Sequence, residues 1–430
     1  MLLQTDDQTI DDLRLFARRE QPGIYDIYNN TFTRGGESVL EEMFRNPLAD
    51  REGIIARSSV IASFAALQTT FPFRAVLMDN LEKYLAQAAQ NRDGQRSALG
   101  EKEITAGVLA AIELLHAVRD FVEKGDALKV EGLAQQRKAM IELLQEAGLQ
   151  PVFNEKPGAK LSYAAITAYD ILVRVRERKK IIEVLNFIYL VDVYISVATI
   201  ANKHHFIFPT VHAGPGRLIK AAGVFHPELK APVGNDLTMD ARRSVVFLTG
   251  ANMAGKSTFL RSLSIAVYIA HMGFPVAAKA MEFSVMDGIY TTINLPDNLG
   301  IGASHFYAEV LRVKRIAEEL GAGRSIFVVF DELFRGTNVK DALEGTVEIT
   351  QAFARKNNSL FIISSHIVEA ADALRQKPNI GFYYLPTRMN GNTPEYTYQL
   401  QEGVTDDRHG MIIIRNEGIL DILASGKKNG

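Results

Sequence analysis

The chain has no cysteine. Disulfides, thiolate nucleophiles and cysteine-ligated zinc are therefore excluded, and the usage fits a reducing compartment. It also lacks an excess of charge of either sign. Its 48 Lys and Arg stand against 50 Asp and Glu, a formal net charge of −2. A near-neutral total does not steer the whole molecule toward nucleic acid, so any DNA contact must come from a local basic patch. There is no internal repeat and no low-complexity tract. The opening MLLQTDDQTIDDLRLF is acidic, without a basic stretch leading into an apolar run, and does not read as a signal peptide. One run, residues 182–201, is long enough to cross a membrane, yet Glu183, Asn186 and Asp192 lie inside it. A mid-membrane Asp costs about 2.5–3.5 kcal/mol. The run therefore reads as a buried core helix of a cytoplasmic protein, with no membrane partner.

What is present is an ordinary globular composition, 47% hydrophobic and 23% charged over 430 residues. At roughly 150 residues per domain this allows two to three domains. The expected class is α followed by α/β. Residues 1–24 read as a tail and 25–205 as an all-α domain. Segments 51–81, 101–121 and 130–147 carry helical spacing, with Pro72 breaking the first. Ile104, Val108, Ala111, Leu115 and Val118 mark one face of the second. A long helix is expected over about 161–203, with a basic middle at Arg174, Arg176, Arg178, Lys179 and Lys180. That middle reads as a solvated face or as a phosphate contact. From 206 to 430 the texture changes to short runs that are apolar throughout, at 245–248, 326–330, 360–363, 382–385 and 411–414. Strands buried on both faces of a mostly parallel sheet read that way.

The strongest local signal is GANMAGKS, residues 250–257, between an apolar strand and a helical pattern. It fits G-x-x-x-x-G-K-[ST], in which backbone N–H groups and the helix N-terminus cradle phosphates. Lys256 would reach the β- and γ-phosphates and Ser257 would hold Mg²⁺. Asp331 and Glu332 end the run 326–330. There Asp331 would stand beside the metal and Glu332 would polarise the attacking water. His366, just after the run 360–363, reads as a γ-phosphate sensor or as a structural histidine.

The order of these pieces resembles the MutS family of DNA mismatch repair ATPases, relatives of the ABC-type ATPases. GANMAGKST is similar to that family's GPNMGGKST, and the Asn252-Met253 pair is a narrow marker. DNLGIGASHFYAE, residues 297–309, resembles its D-x-L-x-x-G-x-S-x-F-x-x-E segment, and DELFRGT, residues 331–337, its DE-[IL]-G-R-G-T. Ser365-His366, Phe225-His-Pro227, the Gln399–Gly403 stretch and Arg408-His-Gly410 resemble further landmarks, and weaker likeness runs upstream to about residue 25.

The resemblance implies an N-terminal lever domain and an ABC-type P-loop ATPase domain at 206–430. ATP and Mg²⁺ would be held by Gly250, Ala251, Asn252, Met253, Ala254, Gly255, Lys256, Ser257 and Thr258, with Ser257 and Asp331 at the metal. Glu332 and His366 would act with Gly302 and Ser304 of a second copy, in a homodimer joined through the ATPase heads. Ser304 also reads as a helix N-cap. Implied partners are mismatched or branched DNA bound without sequence specificity, and a full-length MutS or a MutL-like protein. The competing reading is a nucleotide-gated protein-interaction scaffold with little or no DNA role; a third is a switch that binds ATP without turnover, against which the set Lys256, Asp331, Glu332 and His366 argues.

Departures from the family pattern are expected to matter. The mismatch-reading and connector domains have no room, the DNA clamp is expected to be missing or reduced, and the C-terminal dimerisation helices curtailed. Ala251 replaces Pro, Ala254 replaces Gly and Phe334 replaces Gly. No adenine-stacking aromatic is evident, because Pro232 or Val233 stands at its place.

Overall fold

The computed structural model describes residues 1–18, 21–90, 99–251, 253–293, 305–390, 393–405, 418–419 and 422–423. Its helices are α1 (Asp7–Asp12), α2 (Ile24–Tyr28), α3 (Arg34–Arg45), α4 (Arg51–Leu67), α5 (Ala75–Gln90), α6 (Glu101–Lys124), α7 (Ala134–Gln145), α8 (Gln150–Phe153), α9 (Tyr163–Ile171), α10 (Arg178–His204), α11 (Lys256–His271), α12 (His305–Gly321), α13 (Val339–Ala354) and α14 (Glu369–Leu374). Its strands are β1 (Thr210–Val211), β2 (Ile219–Val224), β3 (Asn235–Met239), β4 (Val245–Gly250), β5 (Ala280–Phe283), β6 (Gly288–Thr292), β7 (Ile326–Phe330), β8 (Leu360–Ser364), β9 (Ile380–Leu385), β10 (Thr387–Asn390), β11 (Thr393–Tyr396) and β12 (Gln401–Glu402). The chain divides into two compact units: Met1–Ile24, Pro47–Ile54 and Phe206–Gly430 form one, Tyr25–Asn46 and Ile55–His205 the other.

The second unit is helical. Pro72 falls between α4 and α5, and α6 buries Val108, Ala111, Leu115 and Val118 at the spacing of one helix face. Before α7 come two short 3₁₀ turns, at Asp126–Lys129 and Glu131–Leu133. The long helix expected over 161–203 is interrupted. A π turn at Leu172–Arg176 follows α9, and Glu177 leaves helical geometry at φ −107° before α10 begins. The cause is pairing with residues of a preceding helical segment. Lys180 bridges Glu177 at 2.6 Å and Glu146 at 2.5 Å, while Gly148 leaves the room the Glu177 carboxylate occupies. Arg174 pairs with Asp170, so two of the five basic residues are already neutralised.

α10 is long and apolar enough to cross a membrane, but most of it is buried in this unit. Asp192, inside it, accepts hydrogen bonds from the Phe32 amide at 3.0 Å and from the Thr33 amide and hydroxyl at 2.8 and 2.7 Å. Desolvation raises the Asp192 pKa against those bonds.

The other unit holds a six-stranded sheet in the order β12-β9-β4-β8-β7-β6, parallel except for β12. β4, β7 and β8 are buried along their whole length. Phe330, Phe353 and Phe361 stack as near-parallel rings that weld β7 and β8 to α13. A second, mixed sheet runs β1-β5-β2-β3. The stretch expected as a strand at 411–414 lies outside the described residues. The first 24 residues, expected as a tail, are built into this unit: Gln4 bonds to Asp287 and Ile289 beside β6, and α1 follows.

His271 ends α11 fully buried. Its Nδ1 lies 2.8 Å from the Val267 carbonyl and its Nε2 accepts from the Met286 amide at 3.0 Å, so the ring is neutral with its proton on Nδ1. Burial lowers its pKa from 6.5 to about 4. Between those values the unfolded chain takes up a proton that the folded chain refuses. Stability should therefore fall as pH drops from 6.5 toward 4, by about 3 kcal/mol from this group. His226, also lowered to about 4, adds in the same direction. Urea unfolding across this range should show a shallower loss for His271→Gln than for wild type; equal slopes would refute the assignment.

Candidate active site

Parallel strands bring their C-terminal ends to one edge, and ligands of open α/β sheets bind there. β4 ends at Gly250, β7 at Phe330 and β8 at Ser364, so the loops after all three start side by side. The loop after β4 needs left-handed backbone. Gly250 has φ 142° and Gly255 φ 99°, conformations open to glycine, and Met253 has φ 72°. Lys256 then opens α11, whose N-terminus carries partial positive charge.

The Lys256 ammonium is buried and folds back on its own loop, donating to the Gly250 carbonyl at 2.7 Å and the Ala251 carbonyl at 3.1 Å. Desolvation lowers its pKa, against the nearby charges of Glu332 and Asp331. Asp331 is gripped from two other chain segments: the Ser257 and Ser364 hydroxyls both donate to its carboxylate. Its amide donates to the Thr292 carbonyl at 2.8 Å. Ser364 also accepts from the Glu332 amide at 3.1 Å. Glu332 stands at φ 53°, and Arg335 lies 3.8 Å from its carboxylate.

Phe334 explains one departure noted from the sequence. It stands where the resembled pattern has glycine, and its φ is 64°. The left-handed backbone is kept although the side chain disfavours it. Its ring packs edge-on to Phe306 at 5.6 Å, and Gly345 supplies the space, since a Cβ there would lie 3.0 Å from the ring. On α12, Glu309 accepts from the Gly336 amide at 3.4 Å and so ties that helix to the same loop.

A cavity of about 540 Å³ is lined by Ala251, Met253, Gly255, Lys256, Ser257, Thr258, Ile293, Asp331, Glu332, Arg335 and Tyr398. The structure thus brings Lys256, Ser257, Asp331 and Glu332 together. His366 does not line this cavity; it is exposed on the segment after β8. Asn252, Gly302 and Ser304 lie outside the described residues. Among the described residues there is no cluster of three His, Asp or Glu side chains able to hold a metal. One carboxylate and one hydroxyl are instead the sparse oxygen set that suits Mg²⁺, which keeps most of its shell for water and phosphate.

Tyr398 is the residue sequence reasoning missed. It lines the first cavity and a neighbouring one of about 330 Å³, whose walls include Val224, Leu229, Val233 and Phe259. Asn235 fixes it in place, donating to the Tyr398 carbonyl at 3.0 Å and accepting from the Leu400 amide at 2.6 Å. Tyr398 is 163 positions from Asn235, a contact no local pattern signals.

This strand, glycine loop and helix, with an acidic strand end beside them, form a candidate phosphate site at the C-terminal edge of an α/β sheet. Residues 246–427 match the family model for MutS domain V, an ATPase domain. By that domain this part of the chain is similar to the MutS family. It is 27% identical over 267 residues to the DNA mismatch repair protein MutS of Streptococcus agalactiae, covering 59% of this chain and 31% of that protein. The MutS proteins of Persephonella marina and Fusobacterium nucleatum are 29% and 26% identical over 58% and 53% of this chain. The matches span 29% and 26% of those two proteins, so the chain spans about three tenths of the relatives it matches.

Gly255→Ala should cost about 1–3 kcal/mol, because φ 99° strains any Cβ and the new methyl meets Tyr398 at 2.9 Å. Adding Tyr398→Ala should recover the steric part only. Full recovery in urea unfolding would show that backbone strain is not the cause.

Proposed function

We propose that the protein is an ATPase of the MutS type that couples ATP binding and hydrolysis to engagement of mismatched, branched or distorted DNA, in repair or recombination. The observation that carries the chemistry is the meeting of Lys256, Ser257, Asp331 and Glu332 around one cavity.

Incoming phosphates would take over the Lys256 ammonium from the Gly250 and Ala251 carbonyls and fill the ring of loop amides from 250 to 258. Asn252 completes that loop in the sequence. Ser257 and Asp331 would hold Mg²⁺, which when bound neutralises charge on the β- and γ-phosphate oxygens. Glu332 orients and polarises the attacking water. His366 reaches the γ-phosphate only if the segment after β8 turns inward. The apolar cavity beside Tyr398 suits the adenine, with the ring as stacking partner in place of Pro232 or Val233. Gly302 and Ser304 of a second copy would complete the γ-phosphate site, giving a homodimer joined at the heads by nucleotide. DNA without sequence preference, a full-length MutS or a MutL-like protein are the proposed partners, in the cytoplasm. Residues 25–205 would act as the levers.

A second reading has its own observation. Tyr163, Ile171 and Val175 expose apolar side chains in the same stretch of chain as Arg174 and Lys180, whose charges are already paired, which favours a protein over a phosphate partner. Here the protein is a nucleotide-gated interaction scaffold.

Steady-state ATP turnover, titrated with homoduplex and four-way-junction DNA, separates the two. Salt-sensitive stimulation by DNA is expected; a rate that DNA leaves unchanged favours the scaffold. Glu332→Gln should retain ATP and lose turnover by about 10²-fold or more. Full-rate hydrolysis by that variant would mean another base. Tyr398→Ala should weaken ATP binding by about 1–3 kcal/mol and triphosphate binding little, as read by equilibrium titration.

A further inference from the structure

Asp6, the N-cap of α1, and Asp12, at its end, are not used by the chemistry above, yet their side chains are buried and hold the strand end that leads to Ile293 on the cavity wall. Asp6 caps α1 by accepting from the Thr9 amide at 3.0 Å, and its carboxylate is nearly inaccessible against the equally buried Arg312 of α12. Burial opposes the Asp6 charge, but the hydrogen bond and charge of Arg312 prevail and hold its carboxyl below the usual range. The remaining donors of Arg312 turn to the end of β6. Nη2 donates to the Thr291 carbonyl at 2.8 Å and Nε to the Thr292 hydroxyl at 3.1 Å. Asp12 grips the same strand end, accepting from the Thr291 hydroxyl at 2.9 Å and the Ile293 amide at 2.7 Å. Thr292 then passes the constraint on, because its carbonyl receives the Asp331 amide at 2.8 Å. Ile293 itself lines the cavity.

We infer that Asp6, Asp12 and Arg312 form a positioning clamp that sets where Asp331 stands in the site. The inference rests on the ATPase reading for its functional meaning. A buried ion pair adds little net stability over an apolar packing of the same volume, so stability alone is a weak reason for this cluster. Directional bonds do what apolar packing cannot. They fix the strand end along several axes at once, and an oxygen that must ligate a metal tolerates little displacement. The N-terminal segment is thereby part of the active-site scaffold, although it is remote in sequence from every motif of the site.

Arg312→Lys tests this. Lysine keeps a charge opposite Asp6 but cannot donate to Thr291 and Thr292 together. A folded variant should show amide hydrogen exchange faster by about tenfold or more at Ile293 and Asp331. Its turnover should need about 10–100-fold more Mg²⁺, while nucleotide affinity measured without Mg²⁺ stays as in wild type. Unchanged exchange at both amides overturns the clamp. So does a loss of Mg²⁺-free nucleotide affinity in step with the melting temperature, which would mark general destabilisation. If Arg312→Lys does not fold, Asp12→Asn, close in shape, carries the same measurements and the same criteria. If the wild-type protein neither binds nor hydrolyses ATP, the ATPase reading falls, and exchange at Asp331 in the variant still decides whether the clamp exists.

Discussion

The parallel register of β9, β4, β8 and β7 is the constraint on which the site depends. Each strand is hydrogen-bonded along its length to its neighbour, with Val246 opposite Ile362 and Val329 opposite the same Ile362. A slip of one residue would turn every side chain to the other face. It would also withdraw Ser364 from Asp331, and with it the hydroxyl that joins Asp331 to the Glu332 amide. The stacked rings of Phe330, Phe353 and Phe361 hold that register from outside the sheet. Burial of the strands thus does more than stabilise: it decides which polar groups meet at their ends.

Around that edge the loops are held in place by their own backbone and side-chain bonds. Glycine at 250 and 255 allows a loop conformation that other residues resist, and Lys256 rests on the Gly250 and Ala251 carbonyls. Phe334 shows how a substitution against local preference survives. Its left-handed backbone is disfavoured for an aromatic residue, and packing against Phe306 and Gly345 offsets the strain. The same logic applies to Tyr398, a left-handed residue at φ 55° clamped by Asn235. At both residues the surrounding packing sustains the strain.

Buried charge serves a related end in both units. Asp192 spends its carboxylate on the Phe32 and Thr33 amides, ordering the turn into α3 from within a helix apolar enough to span a membrane. Asp6 and Asp12 do the same for the end of β6. In each case the polar group specifies one arrangement where apolar contacts would accept several.

Much of this was legible without coordinates, because it is written in short-range pattern. The strands at 245–248, 326–330, 360–363 and 382–385 announce themselves by unbroken apolar runs, and the break at Pro72 by the chemistry of one residue. The glycine loop between β4 and α11, and the acidic pair Asp331-Glu332 at the end of β7, follow from glycine spacing and from acid after an apolar run. What failed was everything set by distant partners. The helix expected over 161–203 breaks at Glu177 because Lys180, Glu146 and Gly148 meet it there. The supposed tail is part of the scaffold because Asp6 finds Arg312, some three hundred positions away. Tyr398 reaches the loop only because the chain returns past Asn235. Local sequence determined which groups could do chemistry, since backbone freedom and residue type act over a few positions. The tertiary structure alone decided which of them meet, since hydrogen bonds and packing between remote segments leave no periodic trace in the chain.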